Sequence, residues 1–418
     1  MAQSASNLST VLKERWTDDQ LQKQFLSDDT PLSRVEKFKA TMIGKQAQVP
    51  VHVAGASAGY TTTSTASSAL NTAGQQSVNQ AAFTLITHAQ PVSIDLTALN
   101  QAGGSNLTSV VSAKNLEIEG AISDLRRQAT RAFVTNGDSI VAQCDDTSSS
   151  TTVALKASPS GTVWGYDALR RGWLQPGMTV DIGSTSNTDS VVGATTISAV
   201  GVSASAPTIT IGSSVSTTGG THNVYIANPN SATAANPEIN GLRNIVNTSG
   251  ALGGLNPATA GQEAWQAASR DTSTTVLSLD LALSLQREVM QTSGKNFTNV
   301  WTGLKQQANF YSLLQNQVRF TTDTGLNAGH VDTPTWNNMK IEAFPSILDS
   351  DWYCLTLSDF VLITGEITSP TWASDLEGSG GRLRWRQGYT DFQDAVFYPF
   401  NVGVRRRNTH AAATGLTA

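Results

Sequence analysis

The sequence predicts an α+β fold that carries a small all-β insertion. Three observations predict it. One apolar stripe runs the length of a single long helix, Leu107 to Phe133. Short β-prone segments, separated by Gly, Ser and Pro, fill Val153 to Tyr225. The last third then mixes helical and strand-like patterns. At 418 residues the chain has room for two or three domains.

The first forty residues are charged and helix-friendly. Leu8, Val11, Leu12, Leu21, Phe25 and Leu26 recur at loose helical intervals, with Lys13, Glu14, Asp18 and Asp19 between them. They predict one or two short amphipathic helices over Leu8–Leu26, stopped by Pro31. The character then changes sharply. From Gln46 to Ile94 there is no Asp, Glu, Lys or Arg. Two β-prone arms, Gln46–Val53 and Ala82–Thr87, flank a tract rich in Ser, Thr, Ala and Gly. This predicts one long hairpin with a flexible tip, although Leu85 and Ile86 together interrupt the alternation. An isolated hairpin is marginally stable in water. A long one must therefore lie on something else, its own body or another subunit.

The helix Leu107–Phe133 is the clearest element. Leu107, Val111, Ile118, Ile122, Leu125, Ala129 and Phe133 share one face. Ser105 or Asn106 can cap its start, and Asn136-Gly137 suits its end. Arg126, Arg127 and Arg131 lie in its last turns, where they favour the negative end of the helix dipole. In the β-rich stretch, Thr179–Ile182, Thr195–Val200, Thr208–Ile211 and Asn223–Ile226 read as strands, and Leu174-Gln-Pro-Gly177 as a turn. Together they predict a small barrel or sandwich. Pro229 to Pro237 reads as a polar linker. Ser278–Thr292 and Gln306–Val318 read as helices, Val300-Trp301 and Phe360–Ile363 as buried strands, and Val396–Val404 as a late strand. The triplet Arg405–Arg407 and a frayed tail follow. No fixed-period repeat is present.

Composition narrows the function. Charged residues make up 14% of the chain and the formal charge is −5, against a usual charged share of about 25%. Ser, Thr, Ala, Asn, Gln and Gly fill the shortfall. Uncharged surface is poor for solubility and good for close contact with neighbours. No apolar run approaches the ~20 residues that cross a bilayer. Met1 to Thr10 lacks the basic start and apolar stretch of a signal peptide. Cys144 and Cys354 stand far apart, giving neither a disulfide framework nor a zinc pattern, which fits a reducing cytoplasm during synthesis.

Catalytic chemistry finds no foothold. The five His residues are scattered outside any paired metal spacing. There is no Walker loop. Asp145-Asp146 beside Cys144 would raise the thiol pKa and oppose nucleophilic use. The acidic pairs Asp18-Asp19 and Asp28-Asp29 fit helix starts or loops. Asp349, Asp351 and Asp359 lack the tight spacing and central Gly of a calcium loop. No cofactor, metal or enzymatic activity is expected. Arg382, Arg384 and Arg386 alternate with Leu383 and Trp385, so as a strand they share one face. They and Arg405, Arg406 and Arg407 read as ion-pairing groups within the chain or between subunits, with phosphate contact the rival reading.

The order of these features resembles the major capsid proteins of tailed bacteriophages, the Hong Kong 97 type. The resemblance covers most of the chain. It rests on Pro31-Leu-Ser-Arg-Val-Glu-Lys37, on Gly44-Lys-Gln-Ala-Gln-Val-Pro-Val51 opening the charge-free hairpin, and on the helix ending near Asn136-Gly-Asp138. Glu238-Ile-Asn-Gly-Leu-Arg-Asn-Ile245, Gly254-Leu-Asn-Pro-Ala-Thr259, Trp265 and the arginine-bearing strand near Arg405 complete it. The resemblance implies an N-terminal arm (1–40), an extended loop (41–95), and a peripheral domain with a spine helix (96–150). It further implies a β-rich insertion (151–228), an axial domain that returns to the peripheral one (229–395), and a C-terminal strand and tail (396–418).

The implied function is an icosahedral head shell around packaged double-stranded DNA. The implied partners are sister copies in pentamers and hexamers, a portal, a separate scaffolding protein, a decoration protein, and DNA held by non-specific contact. No membrane is involved. The separate scaffold follows from the retained Met1 and the absence of a long charged segment before the arm. The implied setting is the virion, after assembly in the host cytoplasm. Inter-subunit contact is expected at Lys45, Val49, Val51, Tyr60, Phe83, Leu85, Arg126, Arg127, Arg382, Arg384, Arg405, Arg406 and Arg407. Lys45 sits near the loop base, but no crosslinking partner is identified for it. The physical logic agrees: tethering makes many weak contacts collectively firm. Two rivals remain at this point, an encapsulin-like compartment shell and a phage tail or fibre protein. A hydrolytic enzyme is more distant still.

Overall fold

The computed structural model describes residues 31–39, 42–43, 46–54, 77–95, 107–157, 165–184, 190–226, 238–272, 275–315, 335–337, 339–367, 369–373, 384–385 and 391–417. The expected helices over 8–26, the loop tip, the caps at Ser105 and Asn106, and the 229–237 linker lie outside them. The fold is mixed α+β, mostly strand, in two compact units. One comprises 1–40, 85–241 and 362–402; the other comprises 41–84, 242–361 and 403–418.

In the first unit, helix α1 (Leu107–Val134) is as long as its stripe requires. Ile122, Leu125, Ala129 and Phe133 are all buried. The helix ends where Thr135 turns its N–H back to the Arg131 carbonyl at 3.0 Å. Gly137 follows at φ 74°, and a Cβ there would stand 2.1 Å from the Ile239 carbonyl oxygen. Only glycine meets both demands. The unit's six-stranded sheet orders Lys37–Lys39, Phe360–Thr364, Asp391–Val404 and Thr371–Trp372. Ile86–Asp95 and Arg384–Trp385 also pair with the long strand. Ile86–Asp95 runs antiparallel to it from Asp95↔Asp391 to Ile86↔Phe400. Along that strand Asp394, Val396, Tyr398 and Phe400 turn inward at the period of two that a half-covered sheet demands.

A β-rich module of the first unit is one sheet of six strands, ordered Ile140–Gln143, His222–Ile226, Thr179–Ser184, Ser190–Gly201, Thr208–Thr217 and Thr147–Ala154. Its two edges meet. Cys144 and Leu155 form a bridge, Asp145 N–H donates to Ala154 O at 2.8 Å, and Lys156 N–H donates to Gln143 O at 3.0 Å. The strand order is thereby ringed and no long edge stays open. Val141, Val153, Val180, Ile182, Ile209 and Val224 fill the inside. A short helix, α2 (Gly165–Arg170), interrupts the strands. The module's first strand in the chain is Ile140–Gln143. Thr147–Ala154 gave little sign of a strand because only Val153 in it turns fully inward.

The second unit holds the hairpin Gln46–Ala54 and Ser77–Thr84, together with Met42–Ile43. Its main sheet orders Ala268–Asp271, Ala411–Thr414, Trp352–Leu355, Asn299–Thr302, Met339–Ala343 and Thr335–Trp336. Three helices accompany it: α3 (Leu242–Ile245), α4 (Leu279–Ser293) and α5 (Leu304–Gln315). Ser278 caps α4 by accepting the Leu281 N–H at 3.2 Å. Leu285 and Val289 of α4 and Phe310 of α5 join Val300, Ile341 and Trp352 in one core. The C-terminal residues are not a frayed tail. Ala411, Ala412 and Ala413 are fully buried in a strand between two others. Their small side chains fit a strand covered on both faces, and a run of alanines has no alternation to announce it.

The expected hairpin of Gln46–Val53 with Ala82–Thr87 is also corrected. Its second arm stops at Thr84, and Ile86–Asp95 belongs to a different sheet. The interrupted alternation at Leu85-Ile86 marks that change.

Candidate assembly surfaces

The base of the hairpin is anchored within its own unit. Its strands pair from Gln46↔Thr84 to Val51↔Asn79 and beyond. Ala47, Ala81 and Phe83 are buried, and Ala82 N–H donates to the Gly253 carbonyl at 2.8 Å. A Cβ on Gly253 would stand 3.1 Å from Ala81 Cβ and 3.2 Å from Phe83 Cζ, and its φ of 61° already excludes most side chains. Phe83 and Val51 are both buried within their own chain. Val49 and Leu85 are half-buried. Lys45 and Tyr60 lie outside the described residues.

The arginines divide by environment. Arg131 is buried and ion-paired to Glu238. Arg127 pairs with Asp124 one turn earlier. Arg126 beside it is half-buried, and burial lowers its pKa. The Arg127 guanidinium reaches the Gly172 turn, 3.9 Å from where a Cβ would sit. That turn carries a second pair, Arg170-Arg171. Arg170 pairs with Asp167 at 3.4 Å and lies over the Tyr166 ring; Arg171 lies over the Trp173 ring at 5.5 Å. Sequence reading passed over this second pair; the run Arg-Arg-Gly-Trp, a double arginine on a glycine turn, was its signal.

Arg382 lies outside the described residues, and Arg384 has its backbone opposite Gln393. Trp385 is half exposed and meets Phe392 edge-on at 5.3 Å. Arg405 is exposed, and Arg406 pairs with Asp359 at 3.2 Å. Arg407 departs from the expectation for the triplet. It is fully buried and donates to the carbonyls of Asn244, Ile245, Ser249, Gly250 and Trp265 of its own unit. No phosphate and no neighbouring subunit can reach it.

Several titratable groups among the described residues are buried and bonded within the chain. Asp351 takes a two-pronged contact from Arg243 at 2.7 and 3.0 Å, and hydrogen bonds from Tyr353 and Ser350. Burial opposes the Arg243 charge, yet Asp351 holds its pKa above the usual value. Burial and then Asp351's charge push the Tyr353 hydroxyl well up. Burial pulls His410 down to about 3. His88 falls to about 4 because its Nε2 is sealed from water and Arg131 is near. Burial, with Asp145 second, pushes the Cys144 thiol up to about 12. Among the described residues no three His, Cys, Asp or Glu side chains gather as metal ligands. No helix there is long and apolar enough to cross a membrane.

No protein-family profile matches the chain, and no curated protein sequence does. Structures do match. The subunit in the capsid of cyanophage A-1(L) superposes with a TM-score of 0.56 over 92% of this chain and 91% of that one, at 10% identity. The chain has a phage capsid-protein fold. Gordonia phage Cozz matches at a TM-score of 0.41 and 12% identity, over 93% of this chain and 86% of that one. The encapsulin SrpI of Synechococcus elongatus also scores 0.41, at 8% identity, over 94% and 89%. At those scores neither adds to the assignment.

Proposed function

We propose that this chain is the major capsid protein of a tailed phage, the subunit that builds the icosahedral head around double-stranded DNA. The observation that carries the reading is the likeness to the cyanophage capsid subunit over nine-tenths of both chains. The charge-free tract supports it, because close packing between copies favours uncharged surface. In this reading 1–40 is the arm, the hairpin is the base of the extended loop, and α1 is the spine of the peripheral domain. The second unit's main sheet and helices form the axial domain, and the six-stranded module is an insertion. The copies form pentamers and hexamers, with a portal, a separate scaffolding protein and a decoration protein as partners. The subunit assembles in the host cytoplasm and resides in the virion.

The test is negative-stain microscopy of the chain expressed with and without its neighbouring genes. Closed shells that fill with DNA are expected. Shells holding a protein cargo would replace the reading with a compartment shell. A chain that stays unassembled in every combination would overturn it.

A further inference from the structure

His88 Nε2, Arg131 Nη1 and Glu238 Oε2, from separate segments of the first unit, are sealed from water and have no hydrogen-bond partner among the described residues. Buried polar groups are ordinarily paired, so such atoms ask for a reason. The strand Ile86–Asp95 sets His88 directly opposite Tyr398 of the long strand. Residues directly opposite share a face, and here it is the inward one, because Tyr398 and Phe400 are fully buried. The His88 ring stacks on Phe400 with centroids 5.1 Å apart. Helix α1 packs against this strand and brings the Arg131 charge to act on the ring. Arg131 donates from Nε to Gln128 Oε1 at 2.9 Å and from Nη2 to Glu238 Oε1. The groups facing His88 are therefore Arg131 from the helix, with Glu238 behind it, and Tyr398 from the sheet. Burial pushes the Tyr398 hydroxyl up, so it stays neutral. Arg127 and Asp124 lie one turn or more earlier on α1, and Asp394 lies further along the sheet, opposite Val92.

We propose that His88 is a proton-operated release: when its ring takes up a proton, the strand Ile86–Asp95 and the C-terminal half of α1 part. A neutral imidazole carries a single N–H, and the imidazolium carries one on each nitrogen. The added charge lies beside the Arg131 cation, away from water, with no acceptor at Nε2. A buried charge without a partner is strongly unfavourable, and opening hydrates both cations. Burial, with Arg131 second, lowers the His88 pKa to about 4, against about 6.5 for an exposed His. Because the folded value is the lower one, the packing has its full stability above pH 6.5 and loses it as the pH falls towards 4. Those two values make opening about twentyfold more favourable at pH 5 than at pH 7. The release depends on the fold alone and goes beyond the capsid reading.

The experiment is amide exchange by mass spectrometry on the full chain between pH 7 and pH 5, with rates corrected for the intrinsic effect of pH. Amide protection reports local opening. On acidification, protection over residues 120–135 should fall about twentyfold further in wild type than in His88→Gln, whose side chain does not titrate. Protection over Leu279–Ser293, in the second unit, should respond to pH alike in both proteins. If His88→Gln fails to fold, His88→Met carries the same comparison. An equal pH response over 120–135 in wild type and variant overturns the proposal. So does a difference that extends equally to Leu279–Ser293, because His88 would then act on the whole chain and not on α1. Glu238→Gln separates one further case. If wild type keeps its protection at pH 5 and Glu238→Gln loses it, the free Glu238 oxygen catches the added proton and no release takes place, which also overturns the proposal.

Discussion

Replacing Arg407 by Met should unfasten the second unit more than any surface change. Burial lowers the Arg407 pKa to about 10, still far above neutrality, so the group is a cation in the fold. Three of its bonds are short: 2.9 Å to Ile245 O, 2.9 Å to Gly250 O and 2.8 Å to Asn244 O. The contacts to Trp265 O and Ser249 O are longer, at 3.4 Å. A hydrogen bond to a charged group is worth roughly 1.5–3 kcal/mol, which bounds the three short ones from above. Methionine keeps the aliphatic stem but leaves those carbonyls without that donor, and each buried polar group left unpaired costs about 1–3 kcal/mol. We expect a loss of about 4 kcal/mol. Amide exchange at Ala411–Ala413, read by mass spectrometry on the full chain, should speed up by about a thousandfold. Arg407→Lys keeps the charge but not the five-donor fork, and should recover less than half. Exposed Arg405→Gln should change exchange by less than about 0.5 kcal/mol. A Met variant within about 1 kcal/mol of wild type, or a Lys variant equal to it, would refute the claim that carbonyl capture by the fork holds these loops.

Two further changes test other parts of the fold. His410 stays neutral when folded because burial holds its pKa near 3, whereas the unfolded chain takes up a proton below about 6.5. The associated stability is complete above pH 6.5 and is lost as the pH falls towards 3, on the order of 4 kcal/mol in full. In His410→Gln, urea midpoints measured against pH should flatten over that window relative to wild type; parallel curves would count against the assignment. Gly253→Val forces a branched residue to φ 61° with its Cβ 3.1 Å from Ala81, at a cost of about 1–3 kcal/mol. Limited proteolysis within Gln46–Thr84 should quicken, and an unchanged cleavage rate would contradict the packing described.

Elements that carry their own periodicity were legible in the sequence. The stripe Leu107–Phe133 predicts a helix and ends within one residue of the observed Val134. Ser278–Thr292 matches Leu279–Ser293 equally closely, because Ser278 and Gly294 are local signals. Phe360–Ile363 reads as buried and is. What failed depends on partners distant in sequence. Ala411–Thr414 is a strand only because Ala268–Asp271 and Trp352–Leu355 flank it. Arg405, Arg406 and Arg407 look alike in sequence, and only the carbonyls of residues 244–265 separate the buried one from the others.

The hairpin decides how much of the assembly argument survives. A charge-free outgrowth cannot stand alone in water, and the sequence left open whether its own body or a sister copy supports it. For the base the answer is its own body, through Ala47, Ala81, Phe83 and Gly253. Ile86–Asp95 is likewise paired within the chain. The stretch between Ala54 and Ser77, outside the described residues, is uncharged as well. Among the described residues the anchors Ala47, Ala81, Phe83 and Gly253 all lie outside Thr61–Gln76, so deleting that segment should leave the fold intact. Shortening the connection from about 22 to about 6 residues lowers its closure cost by about 1 kcal/mol, so stability should hold or rise slightly. Circular dichroism and the urea midpoint check that half. Electron microscopy checks the other: the deletant should no longer close shells. Normal shells would remove this segment from the assembly contacts, and an unfolded deletant would show that the anchors named here are not sufficient.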